Sequence, residues 1–276
     1  MHKANSNLLN EILETVPDGS IENIVIGKHW TAVSLYVRNT RLCGLASTIQ
    51  NESPGWDGHF KAVSKPANEI SAKLLASKLS NQHYAEHTAL SSIAAATLNA
   101  LLQYPFSENL TDNRLPFKTM ECNAEDLIIR YGKDHRVAVI GHFPFTDRIK
   151  SAAGHLDVLE FDPKPGDLPA DAAPDVIPKA DMVAITGMTW INGTLESLLT
   201  LCAPSAVVIV LGASTPLSPV LFSRGIQYLC GALVKDIDPV MQAVANGLVY
   251  RQIIPAGLQL ITIHRQEITQ QDNPYP

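Results

Sequence analysis

Gly141, His142, Phe143, Pro144, Phe145, Thr146 and Asp147 stand directly behind the apolar run Val137 to Ile140. Such a run closed by glycine reads as a buried strand and a tight turn, with Asp147 in the first turn of a following helix. A turn that holds a phosphate needs free backbone N–H groups and little bulk. Here Pro144 removes a donor, Phe143 and Phe145 fill the space, and Asp147 repels an anion. The turn therefore disfavours NAD and ATP. It suits a flat neutral or cationic group, or a metal ion held by His142.

Other apolar runs end in similar company. Glu160 and Asp162 close residues 156–161; Thr186 and Gly187, then Asn192 and Thr194, follow residues 182–186. Gly212, Ser214, Thr215 and Ser218 follow residues 206–211, and Lys235, Asp236 and Asp238 follow residues 227–234. Each has a purely structural reading: glycines make turns, Thr194 caps a helix, and Glu160 and Asp162 are solvated loop acids. Their recurrence at successive strand ends predicts a ligand site there, because doubly wound sheets bind ligands beyond the carboxyl ends of their strands. An acid after the second strand, here Glu160, meets ribose hydroxyls in such sheets. An adenosine-type cofactor without a pyrophosphate, such as S-adenosylmethionine, and hence a transferase, is one alternative reading; a non-catalytic metal carrier is another.

Metal spacing is thin. His83 and His87 lie four apart and could share a helix face, but no H-E-x-x-H occurs and the nine histidines are scattered. No nucleophile elbow is present, since "GAST" behind residues 206–211 lacks the second glycine. Cys43, Cys122, Cys202 and Cys230 form no C-x-x-C pair and read as reduced, mostly buried thiols.

Two kinds of texture must position these residues. Residues 5–16 carry apolar side chains at helical spacing. Residues 24–26, 32–37 and 41–49 read as a short antiparallel meander, and residues 67–79 and 86–104 as helices, the second rich in alanine. The bend between the first two strands holds His29 and Trp30, and the alanine-rich helix holds Asn99. His29 and Asn99 join the candidate ligand contacts. Residues 104–118 are polar and proline-bearing and predict an exposed connection, and residues 120–132 read as a helix. From Arg136 onward, continuous apolar strands alternate with helical patterns at 146–153, 194–202 and 239–246, which predicts a parallel sheet covered on both faces. Five prolines in the sixteen residues 163–178 predict an irregular crossover. The predicted division is an α+β unit over 1–118, linker included, and an α/β unit over 119–276.

The chain has 276 residues, 46% of them hydrophobic and 17% charged, with a formal net charge of −6. That is enough for a substantial core and argues against a nucleic-acid or anionic-membrane partner. The first residues, "MHKANSNLLNEILETV", lack the apolar run of a signal peptide, and no stretch is long and apolar enough to span a bilayer, so a cytoplasmic location is expected. Oligomeric state and the breaking of any bond are left open.

The segments "IGKHWTAV", "IAAATLNA", "VAVIGHFPF", "IPKADMVAITGMTWINGTLESLL" and "VVIVLGASTPLSPVLFSRGIQYLCGALV" resemble the family catalogued as "Putative heavy-metal chelation", a domain of unknown function, over nearly the whole chain. The resemblance implies a first domain similar to the N-terminal domain of enolase, a Rossmann-like second domain, and a site in the cleft between them. It also implies heavy-metal chelation, or work on a metal-binding small molecule. It carries no enolase activity, because the metal-binding acids of enolases lie in a barrel for which this chain has no room.

Overall fold

The computed structural model describes residues 4–49, 70–79, 89–107, 117–120 and 123–265. The His83–His87 pair and Cys122 lie outside the described residues. Helix α1 (Ala4–Thr15) buries Leu8, Leu9, Ile12 and Leu13, the stripe its spacing predicts. Strands β1 (Ser20–Ile26), β2 (Trp30–Val37) and β3 (Thr40–Ser47) form the antiparallel meander in the order β1-β2-β3. Helix α2 (Ala72–Ala76) is capped by Ser71, whose hydroxyl accepts from the Leu74 N–H at 3.0 Å.

Helix α3 (Ala89–Leu101) lies directly on β3. A Cβ built on Gly44 of β3 would sit 2.2 Å from both the Ala100 nitrogen and the Ala96 oxygen. The alanines of α3 and the glycine of β3 thus serve one purpose: backbone meets backbone, with no side chain between.

Helix α4 (Tyr104–Ser107) and strand β4 (Lys118–Met120) occupy the two ends of the expected linker. That linker is not exposed at its described ends, since Tyr104 and Phe117 are both buried. The helix expected over 120–132 is shorter. Met120 ends a strand, and α5 (Ala124–Gly132) starts after Asn123, whose side chain accepts from the Asp126 N–H at 2.9 Å.

The second unit follows as β5 (Arg136–Ile140), α6 (Thr146–Ala152), β6 (His155–Glu160), β7 (Leu168–Pro169), α7 (Ala173–Val176), β8 (Met182–Thr186), α8 (Met188–Ile191), α9 (Leu195–Leu199), β9 (Val207–Leu211), β10 (Tyr228–Val234), α10 (Ile237–Ala245), α11 (Tyr250–Ile253) and β11 (Leu258–His264). The sheet runs β4-β11-β10-β9-β8-β5-β6-β7. From β10 to β7 all neighbours are parallel, while β11 is antiparallel to both β10 and β4. Numbered from β5 and omitting β11 and β4, the order is 3-2-1-4-5-6, that of doubly wound sheets, in which the order of strand addition reverses between the first and fourth strands. Here that switch lies between β5 and β8. The proline-rich crossover is a series of single turns around α7, with 3-10 turns at Ala170–Ala172 and Ile177–Lys179.

The two units share a core. Leu8, Ile12, Leu98 and Leu101 of the first belong to one apolar cluster with Val183, Ile185, Val208 and Leu229 of the second. The Gln103 amide nitrogen donates to the Cys43 carbonyl at 2.5 Å, and its oxygen accepts from the Val234 N–H at 2.9 Å. Arg224 grips both oxygens of Glu11 at 2.9 Å, and Arg41 reaches Asp238 at 2.7 Å.

Glu196 lies within reach of the field of Arg224 and Glu11, and its Oε2 is buried without a partner. Burial raises its pKa above the ordinary value; Arg224 opposes the shift and Glu11 adds to it. A raised carboxyl binds its proton more tightly in the folded chain, so stability falls as pH rises through the range just above the usual carboxylate pKa. Glu196→Gln is expected to remove that slope and to stabilise the neutral-pH protein by less than about 1 kcal/mol. Unfolding midpoints of both proteins at pH 4.5 to 7.5 check it: parallel curves would contradict the assignment.

Candidate functional site

The carboxyl ends of the parallel strands face β3, α3 and their flanking turns. At the switch point Gly141 has φ +101°, and a Cβ on it would lie 3.0 Å from the Thr186 Cβ. Only a glycine brings the β5 turn so close to the end of β8. Gly187 is packed equally tightly, its Cβ position 2.6 Å from the Thr215 nitrogen and 2.9 Å from Thr215 Oγ1. Gly212, at φ +110°, turns the chain after β9 so that Ser214 can reach the first unit. Ser214 Oγ accepts from the Ser47 N–H at 2.9 Å and lies 3.1 Å from the Ser47 hydroxyl. Thr48, next in the chain, donates its N–H to the His29 carbonyl at 3.0 Å. Asn99 donates to the Leu45 carbonyl at 2.8 Å. The bend that carries His29, the end of β3 and the α3 asparagine thus meet the second unit at one junction.

The expected set divides in two. Thr186, Gly187, Gly212, Ser214 and Thr215 gather with His29 and Asn99 on the inner side. His142, Phe143 and Glu160 form an outer group on the β6 and β7 side of the turn. His142 does not look across to Ser214 and Thr215, as its place behind the first parallel strand suggests. Its ring turns outward, with Nδ1 3.2 Å from Asp167 Oδ2. Asp167 also accepts from the Lys164 N–H at 3.2 Å, and its side chain is 7% exposed against 30% for His142. Asp167 was not legible as a partner, because it sits in the proline-rich crossover, twenty-five positions from His142.

Two backbone donors of the turn are already engaged. The His142 N–H donates to Glu160 Oε1 at 2.7 Å and the Phe143 N–H to Thr146 Oγ1 at 3.2 Å. Glu160 Oε2 accepts from the Phe161 N–H at 3.2 Å. Glu160 thus braces the turn, which is a structural role and competes with any ribose. Phe143 and Phe145 stack with centroids 5.3 Å apart and planes 7° apart, filling the space a phosphate would need.

The donor set for a metal is poor in the same region. Among the described residues no three His, Cys, Asp or Glu side chains converge to hold an ion. Burial pushes the Cys43 thiol up to about 12 and the Cys202 thiol up to about 11, so both stay protonated at neutral pH.

Four buried polar atoms lack any partner here: Asn99 Oδ1, Trp190 Nε1, Thr215 Oγ1 and Ser218 Oγ. Trp190 was not among the expected contacts. It lies in a short helix behind Gly187 that sequence periodicity cannot separate from a loop.

Comparison with known proteins bears on this geometry. A family model described as "Putative heavy-metal chelation" matches residues 123–261, about half of the chain. The chain belongs to this family. A second model with the same description matches residues 9–102, so the two together cover both units. A crystal structure of a protein with unknown function from the DUF364 family of Desulfitobacterium hafniense DCB-2 superposes with a TM-score of 0.75 at 24% identity, covering 94% of this chain and 98% of that one. A second, from Pyrococcus horikoshii, gives 0.73 at 19% identity with the same coverages. These likenesses establish the fold. An uncharacterised protein of Methanocaldococcus jannaschii is 24% identical over 156 residues, so the chain spans 56% of that relative's length. Among the described residues no helix is long and apolar enough to cross a membrane.

Proposed function

We propose that the chain binds a small molecule between its two units, at the carboxyl edge of the parallel sheet. A heavy or transition metal, where one takes part, is cargo carried by that molecule. The observation that carries the reading is the Ser47–Ser214 contact, which sets the first unit against the strand ends beside the switch point. The close approaches of Gly141 to Thr186 and of Gly187 to Thr215 bring the turns after β5, β8 and β9 together on the inner side. The strand order supports a Rossmann-like second unit, and the antiparallel meander with α3 across it supports a first unit similar to the N-terminal domain of enolase.

A ligand at a hundred times its dissociation constant adds about 2.7 kcal/mol to the unfolding free energy. A thermal-shift screen of protein purified without a histidine tag, against metal-chelating small molecules with and without Zn2+ or Cd2+, tests the reading. The expected result is a rise with a chelating molecule that His142→Ala weakens. A rise with the metal alone, untouched by changes at His142 or Ser214, would overturn it. His142→Ala itself should shift stability by under about 1 kcal/mol, since it removes a half-exposed ring and one contact to Asp167. A loss of several kcal/mol in urea unfolding would make His142 structural. NAD and ATP are expected to bind more weakly than micromolar. A micromolar dissociation constant for either, about −8.2 kcal/mol by calorimetry, would contradict the filled-turn argument.

A further inference from the structure

Thr215 is 3% exposed, Ser218 0%, Asn99 7% and Trp190 8%, and each holds a polar atom with no hydrogen-bond partner. Hydrogen bonds and close approaches tie their positions together. Asn99 binds the Leu45 carbonyl, two positions before Ser47; Ser47 binds Ser214; Thr215 Oγ1 lies against Gly187; and the backbone N–H of Trp190 donates to the Gly187 carbonyl at 3.2 Å. Helix α8, which holds Trp190, packs on both α3 and β3. Ser218 lies in the same 212–218 loop as Ser214 and Thr215. Two other orphaned atoms belong elsewhere. Ser34 sits in β2 on the opposite face of the first sheet, with Ala32 beneath α10, and Glu196 sits in the field of Arg224.

A buried polar group left unpaired costs about 1 to 3 kcal/mol. Four of the six such atoms among the described residues belong to this junction, and such groups call for an occupant. Their chemistry specifies it. Trp190 Nε1 only donates, Asn99 Oδ1 only accepts, and the two hydroxyls do either. None of the four carries a charge, and burying an unpaired charge costs far more than burying a hydroxyl.

We propose that the junction of α3, β3, α8 and the 212–218 loop binds an uncharged ligand bearing both hydrogen-bond donors and acceptors, through Asn99, Trp190, Thr215 and Ser218. This rests on the reading of a small-molecule site between the units, and narrows its ligand to a neutral one. A free metal ion or a phosphate is the wrong occupant for these four atoms. Because all four are closed from solvent, α8 or the 212–218 loop moves to admit the ligand.

The test uses the full chain, with Thr215→Val and Ser218→Ala as variants. The probes are hypoxanthine, uracil and myo-inositol, with Zn2+ and phosphate as charged controls, followed by thermal shift and calorimetry. Without probe, both variants should keep or raise the unfolding midpoint, because each removes a hydroxyl that the fold leaves unpaired. At least one uncharged probe should stabilise the wild type, and each variant should weaken it tenfold or more. Zn2+ or phosphate binding that Thr215→Val abolishes would overturn the neutral ligand while leaving the site between the units standing. An uncharged probe that binds equally to the wild type and both variants would place binding elsewhere and sink both readings. No shift with any uncharged probe, or variants that lose several degrees because ordered water belongs to the fold there, would overturn the inference alone.

Discussion

Replacing Gly44 by alanine is expected to cost on the order of 3 kcal/mol or more, because the added methyl has nowhere to go. Its Cβ would stand 2.2 Å from two backbone atoms of α3, and backbone cannot rotate aside as a flexible side chain can. Relief requires α3 to lift off β3. That movement would strain the Asn99–Leu45 and Gln103–Cys43 bonds and so loosen the junction that faces the strand ends. Gly166→Ala is the control: its φ is +99° but nothing lies within 4 Å of the added atom, so only backbone strain of about 1 to 2 kcal/mol applies. Urea unfolding of both variants checks the contrast. Equal losses would mean that α3 does not lie on β3 as described.

Gln103→Leu is expected to cost on the order of 2 to 4 kcal/mol. Leucine keeps much of the volume but neither hydrogen bond, so the Cys43 carbonyl and the Val234 N–H each lose a buried partner. Cys43 belongs to β3 and Val234 to β10, so this one amide spans the two sheets. Because the units share their core, the loss should appear as one lowered transition rather than two. Calorimetric scanning decides it, and a variant within about 0.5 kcal/mol of the wild type would show that the amide does not hold the units together.

Five of the six parallel strands were legible because burial leaves continuous apolar runs, as in Met182–Thr186 and Val207–Leu211, whereas β7, two residues inside the proline-rich crossover, was not. Helix α3 was legible through its apolar stripe, and its many alanines allow the close packing on β3. Strands β4 and β11 were missed for opposite reasons. The first has three residues, too few for any period, and the second exposes Gln259 and Leu260 in its middle. The antiparallel extension of the sheet therefore had no sequence signal.

The site was legible as a set of strand ends, since glycines and small polar residues mark the turns. Its pairings were not. Ser47 and Ser214 are 167 positions apart, and Gln103 and Val234 are 131 apart. Nothing local to Ser47 or Gln103 distinguishes it from any other buried polar residue. The direction of the His142 ring was also hidden, because it depends on how the proline-rich crossover folds back to place Asp167.

The indole N–H of Trp190 offers the most direct test of a ligand bound between the units. Its nitrogen is buried and unpartnered at the junction of α8 with α3 and β3. Nitrogen-15 spectra of the full chain, with the Trp190 signal assigned through Trp190→Phe, can be followed while hypoxanthine, uracil, myo-inositol or Zn2+ is added. The account predicts that a binding molecule moves the Trp190 indole signal downfield, as a new hydrogen bond does, and leaves the Trp30 signal in place. A saturating shift at Trp30, or at surface amides alone, with the Trp190 signal unmoved would contradict it.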